Sequence, residues 1–186
     1  MRKTIPYRRT EAWLAIIVWS PDGACPIPNP PNTIIPTIIR EGRARGDANL
    51  LDRARKMHDW LVSIQMPSGA LRGGMMGESP VVPVTFNTGQ ILLGLAAGVS
   101  EFGDVYRPTM LAAADWLVRT QDGDGCWREH STPFAAPGDK TYETHASWGL
   151  FEAARLAPDY GYAEAGCEAS IGPLFRIALA GLRTVV

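Results

Sequence analysis

Tyr142-Glu143-Thr144-His145 sets a phenol, a carboxylate and an imidazole within four consecutive residues. Carboxylates and imidazoles are the groups best suited to exchange protons near neutral pH, so Glu143 reads as a general acid or base and His145 as its partner. Inside one helical turn neighbouring side chains diverge, so Tyr142 and Glu143 cannot both face where His145 does. Tyr142 and Trp148 offer flat aromatic surfaces for stacking. Arg72 presents a fork of N–H donors that matches a carboxylate, and Asn87 and Gln90 add amides at the start of an apolar segment. The plainer alternative is a glutamate at the positive end of a helix dipole and a histidine packed between helices.

The elements that must position these groups repeat along the chain. Asp59-Trp60-Leu61-Val62-Ser63-Ile64-Gln65, followed by Gly69, returns as Asp115-Trp116-Leu117-Val118-Arg119-Thr120-Gln121, followed by Gly125. Asp, Trp, Gln and Gly all recur at an offset of 56. A fixed period of this size marks an array of similar units, none of which can bury its apolar face alone. A second helix belongs to each unit. Asn87 to Ala97 is apolar nearly all round, as a helix buried on most sides requires, and its counterparts start near Asn32 and Tyr142, with Thr33, Thr88 and Thr144 spaced 55 and 56 apart. The spacing predicts inner helices near 32–45, 86–101 and 141–157 and amphipathic outer helices near 48–66 and 104–121. Trp60 and Trp116 are expected in equivalent places. Pro36 would kink the first inner helix or sit in its first turn.

Two long linkers, Pro67 to Phe86 and Asp122 to Lys140, follow the Gln-Gly signal and lead into inner helices. They therefore emerge on one rim, where repeat scaffolds usually form binding surfaces. No period-two alternation runs long enough to indicate a sheet. The expected fold is all-α, with residues 1–186 as a single domain, residues 1–30 as a degenerate first repeat and 167–186 as an atypical tail.

Bulk properties exclude several partners. A net charge of −1 gives no electrostatic handle on nucleic acid. Cys25, Cys126 and Cys167 form no paired spacing, so a reducing compartment is the simplest expectation. Arg8-Arg9 before Ala12 to Trp19 resembles an export signal, yet eight apolar residues are too few to span a membrane, which needs about 20. The preferred reading is a cytoplasmic protein in which Trp13-Leu14 is a worn copy of the Trp-Leu repeat.

Trp116-Leu117-x-x-x-Gln121-x-x-x-Gly125-x-Trp127 resembles the QW motif of terpenoid cyclases. Its alternating helices resemble α/α toroids generally: squalene-hopene cyclases, prenyltransferase β-subunits and six-hairpin glycosidases. The Phe86-Asn87-Thr88-Gly89-Gln90 stretch, the Trp-Leu-Val repeats and Tyr142 to Trp148 are similar to bacterial toroid proteins associated with exopolysaccharide biosynthesis. The likeness runs from about Asn32 to Ala165. It implies a partial α/α toroid of about three hairpins, with Gln65, Gln121, Gly125 and Trp127 as structural staples. Fold alone does not fix a reaction.

Departures from these families narrow the chemistry. The alkene-protonating Asp-x-Asp-Asp acid of squalene-type cyclases is missing, and Asp122-Gly123-Asp124 sits in a turn. Asp124, Cys126 and His145 imitate the zinc set of prenyltransferases, but Cys126 follows an outer helix instead of opening an inner one, so no metal and no cofactor are expected. Three functions follow from the resemblance. The first is acid–base chemistry on an acidic sugar, with Glu143 and His145 catalytic and Arg72, Asn87, Gln90, Tyr142 and Trp148 binding substrate. The second is a terpenoid-cyclase-like protein without its acid, and the third a non-catalytic scaffold. Closed toroids use about six hairpins, so three leave apolar end helices for a homo-oligomer.

The period also bears on the tail. The next Asp-Trp belongs at 171 and 172, where Ile171 and Gly172 stand. Ala169-Ser170-Ile171-Gly172-Pro173 can be encoded so that a reading one base along gives Val-Asp-Trp-Ala in that register. The expectation is a frameshifted tail from about Cys167. The nucleotide sequence checks it, since codons that forbid Asp-Trp in the shifted frame would dispose of the idea.

Overall fold

The computed structural model describes residues 30–73, 80–132 and 141–171. Helix α1 spans Pro30–Arg45, α2 Ala48–Ile64, α3 Thr85–Phe102, α4 Arg107–Thr120 and α5 His145–Leu156; α6 covers residues 162–171. Short 3₁₀ turns at Asp104–Tyr106 and Pro158–Tyr160 join α3 to α4 and α5 to α6, and another, Thr141–Thr144, leads into α5. No strand forms among the described residues; Arg72 and Pro83 make an isolated antiparallel bridge. The degenerate repeat expected at the N-terminus and the part of the tail beyond residue 171 lie outside the described residues.

Three hairpins result, with α1, α3 and α5 side by side as the inner layer and α2, α4 and α6 outside. Predicted boundaries and observed ones agree within a few residues, except that the turn before α5 is 3₁₀ and α5 itself starts at His145. Helix α3 lies at the centre and is buried on nearly every side. Its apolar circumference suits that place, and α1, α5, α2 and α4 all pack on it, leaving only a narrow strip near Ala97 and Ser100 open. Gly89 and Gly149 let α3 and α5 approach closely: a Cβ on Gly89 would run into Ala146, and one on Gly149 into the carbonyl of Gly89. Pro36 falls inside α1, where it removes one backbone hydrogen bond.

Registration between hairpins comes from polar staples repeated at the 56-residue period. The side-chain amide of Gln65, at the end of α2, donates to Gly69 O at 2.9 Å and to Thr109 O in α4 at 2.9 Å. Gln121, at the end of α4, donates to Gly125 O at 3.1 Å and to Ala165 O in α6 at 3.0 Å. A carboxamide nitrogen carries two hydrogens, and both are used. The backbone turns match too: Met66 N donates to Ala70 O at 2.9 Å and Asp122 N to Cys126 O at 2.8 Å. A second staple joins Tyr106 to Asp59 at 2.7 Å and Tyr162 to Asp115 at 2.6 Å. Burial and the bond to Asp59 push the Tyr106 hydroxyl up to about 12, and burial with Asp115 raises Tyr162 further. Trp60 and Trp116 both pack on the core from matching places on α2 and α4; Trp116 is the more deeply buried, with His130 at 5.1 Å.

His58 holds α2 against α3. It is fully buried, with Nδ1 2.8 Å from Ala54 O and Nε2 2.7 Å from Gly94 O. Burial pushes its pKa below the ordinary 6.5 against the pull of those two carbonyls. The ring fits because Gly98 has no Cβ to strike it.

The staple loop gives a sharp contrast between two glycines. Gly125 has φ +82°, and a Cβ there would collide with the backbone carbonyl of Glu168, whereas a Cβ on Gly123 would meet nothing within 4 Å. Gly125→Ala should lower stability by about 1–3 kcal/mol in urea denaturation. Gly123→Ala should stay within about 0.5 kcal/mol of the parent.

Candidate functional site

The residues singled out from the sequence come from three places: the short loop after α2, the start of α3 and the turn before α5. Gly73 N donates to Val82 O and Val84 N to Leu71 O, both at 3.1 Å, which closes the base of the first long loop beside α3. Asn87 Nδ2 donates to Arg72 O at 2.9 Å, and Thr88 Oγ1 accepts from Leu71 N at 3.0 Å. Asn87 therefore fixes the backbone from which Arg72 projects. The second long loop arrives at the same spot, because Thr85 N donates to His130 O at 2.9 Å. Both loops thus meet at the rim where α3 begins.

Phe86 links this set to the turn before α5. Its ring lies 5.7 Å from that of Tyr142 and 6.2 Å from that of His145, edge to face in each case. The sequence offered one signal for Phe86, its place directly before Asn87 at the helix start, and type-based reasoning passed over it because phenylalanine carries no reactive group.

Burial separates the rim residues. Glu143 is 2% exposed, Asn87 6%, Arg72 7% and Gln90 9%. The hydroxyl of Tyr142 and the Nε2 of Gln90 are buried and have no hydrogen-bond partner among the described residues. Such groups cost free energy unless something satisfies them, so the pair can accept a further polar partner. The positive dipole ends of α3 and α5 both face this rim, which favours an anionic one.

One expectation about geometry changes. Glu143 and His145 do not form a pair: Glu143 is buried, while His145 is exposed with Nδ1 3.0 Å from Tyr142 O. Neighbouring positions in a tight turn diverge, and the carboxylate went inward. Trp148, expected as a stacking surface, stands apart from the rim residues. It is 59% exposed and stands beside a groove of about 580 Å³ on the concave side of the inner helices.

Asp122 and Asp124 are both held by Arg128, at 2.6 Å and 2.8 Å. Asp124 also accepts from Cys126 N at 3.2 Å. These carboxylates shape the staple loop.

Arranged in this way, the helices define half of an α/α toroid. Two solved structures share the arrangement: a glycosyl hydrolase of family 88 from Bacteroides vulgatus (TM-score 0.67, 13% identity) and a polysaccharide lyase (TM-score 0.65, 16% identity). Each alignment covers 86% of this chain and 51% of the other, so the chain spans about half the length of these toroids. At such identities the likeness concerns fold. No protein-family model and no curated protein matches the sequence.

The orphaned phenol gives a prediction that separates ligand binding from folding. Tyr142→Phe removes a hydroxyl that makes no hydrogen bond among the described residues, so stability should hold or rise by up to about 1 kcal/mol. Tyr162→Phe, which breaks the bond to Asp115, should cost about 1.5–3 kcal/mol. Thermal or urea denaturation of both variants decides the point, and equal losses would show that Tyr142 is a structural staple too.

Proposed function

We propose that this chain handles an acidic carbohydrate at the rim where α3 and α5 begin, with Glu143 as the proton-transferring group. The observation that carries the reading is the buried polar cluster there. Glu143, Arg72 and Gln90 are all at least nine-tenths buried, and Gln90 and Tyr142 hold hydrogen-bonding groups that the described residues leave unsatisfied. Apolar helices tolerate such a cluster only where it is useful. A carboxylate shielded from bulk water is suited to general acid or base work on a bound ligand. Arg72 and the two helix N-termini supply the positive potential that an acidic sugar needs.

The related folds agree with a carbohydrate partner, one neighbour being a glycosyl hydrolase and the other a polysaccharide lyase. Synthesis or modification of an exopolysaccharide is the biological setting that fits the resemblance of the helix starts. The terpenoid alternative is weaker, since Asp122 and Asp124 are both bound to Arg128. A second reading, a binding scaffold without turnover, is favoured by one observation: His145 is exposed and turns to the Tyr142 carbonyl, while Glu143 is buried.

Two substitutions distinguish these readings on uronic-acid oligosaccharides. Glu143→Gln keeps size and removes the titrating proton, so turnover should fall by about 10²-fold or more while binding survives. Arg72→Ala should weaken anionic ligands by about 1.5–3 kcal/mol and leave neutral sugars unaffected. Undiminished turnover in Glu143→Gln would remove the catalytic role, and saccharide binding without any turnover in the parent would leave the scaffold.

A further inference from the structure

We infer that the concave face of the inner helices is a second saccharide subsite, which receives the continuing strand of an acidic oligosaccharide and stacks one of its rings on Trp148. The inference rests on the carbohydrate reading of the rim, but its residues are different ones.

The groove, about 580 Å³, falls within the usual size of small-ligand sites. Its floor is apolar, formed by Ile39, Leu93 and Ala97. On its wall the indole of Trp148 is 59% exposed. A flat apolar face beside a few fixed polar groups is the usual make-up of a site for a ring with one apolar side.

The charges give the sign of the ligand. Two carboxylates reach the groove, and each already has a cation: Glu101 binds Arg43 at 2.8 Å, and Glu152 binds Arg155 at 3.2 Å. Arg155 also reaches Ser100 Oγ at 3.3 Å. Arg40 is exposed and pairs with no carboxylate among the described residues. The groove thus keeps one uncompensated positive charge, which suits a uronate.

Its position continues the rim. His145 and Trp148 are three residues apart on α5 and both exposed, so they share one side of that helix. A chain held at the rim by Arg72 therefore passes His145 before reaching Trp148 and Arg40. A polymer with acid groups on successive sugars fits this course better than a single sugar does.

The test compares a galacturonate disaccharide with the hexasaccharide by calorimetry on the full chain. The hexasaccharide should bind at least about tenfold tighter, and Trp148→Ala or Arg40→Ala should erase that gain while leaving the disaccharide unchanged. Both side chains are exposed, so the fold survives their loss, which circular dichroism verifies. Arg72→Ala should weaken both ligands. If the disaccharide binds through Arg72 but length adds nothing, the groove is no subsite and the rim reading stands. If neither oligosaccharide binds, both fall. A dimer in sedimentation equilibrium that Trp148→Ala dissociates, with hexasaccharide affinity unchanged, would make the groove a contact between copies and overturn the proposal.

Discussion

A single side-chain amide joins three stretches of backbone at each level of this molecule. Gln65 ends α2, closes its own loop at Gly69 and reaches Thr109 in α4; Gln121 ends α4, closes its loop at Gly125 and reaches Ala165 in α6. The residue type follows from the task. Two carbonyls must be satisfied from one nitrogen, which a carboxamide does and a carboxylate cannot. The glycine four residues on is equally constrained: φ is +94° at Gly69 and +82° at Gly125, and a side chain at either would strike the backbone of the next outer helix. Outer helices so locked can differ in surface sequence without losing register.

The rim depends on that register. Each long loop leaves the staple, and the first returns directly to an inner helix. The base of that loop is pinned to α3 through Asn87 and Thr88. The inner layer is held apart from this polar chemistry by close apolar contact, with Gly89 against Ala146 and His58 filling the space that Gly98 leaves. A rigid scaffold of this kind tolerates a buried Glu143 and an orphaned Tyr142 hydroxyl, whose cost the packing elsewhere must offset. The repeat explains where the site is. Departures from the repeat distinguish the third hairpin, since Glu143 and Trp148 stand where the offset puts Asn87 and Leu92, whereas Arg72 recurs as Arg128.

Much of the fold was legible because repetition is a property of sequence alone. Asp, Trp, Gln and Gly recurred together, and the continuous apolarity of Asn87 to Ala97 announced a buried helix. Tyr106 and Tyr162 also lie 56 apart, yet their bonds to Asp59 and Asp115 escaped notice. The partners stand 47 residues from one another, and nothing local to either tyrosine signals a distant carboxylate. The site was legible by composition and only partly by geometry. Spacing showed that Tyr142, Glu143 and His145 must diverge. Which of them turned inward depended on the packing of α5 against α3, which no local pattern encodes. Nor did any local pattern place Trp148, which stands one turn of helix along α5 beside the groove.

The equivalence of the two amide staples is the point on which the whole arrangement turns, and it is open to direct measurement. Gln65→Ala and Gln121→Ala each delete two hydrogen bonds of matched geometry, so urea denaturation should show losses of about 1–3 kcal/mol that agree within about 0.5 kcal/mol. Gln→Glu at either site should cost at least as much, because the carboxylate would face two carbonyl oxygens without a donor. A variant of either glutamine as stable as the parent would contradict the view that these amides set the register of the array.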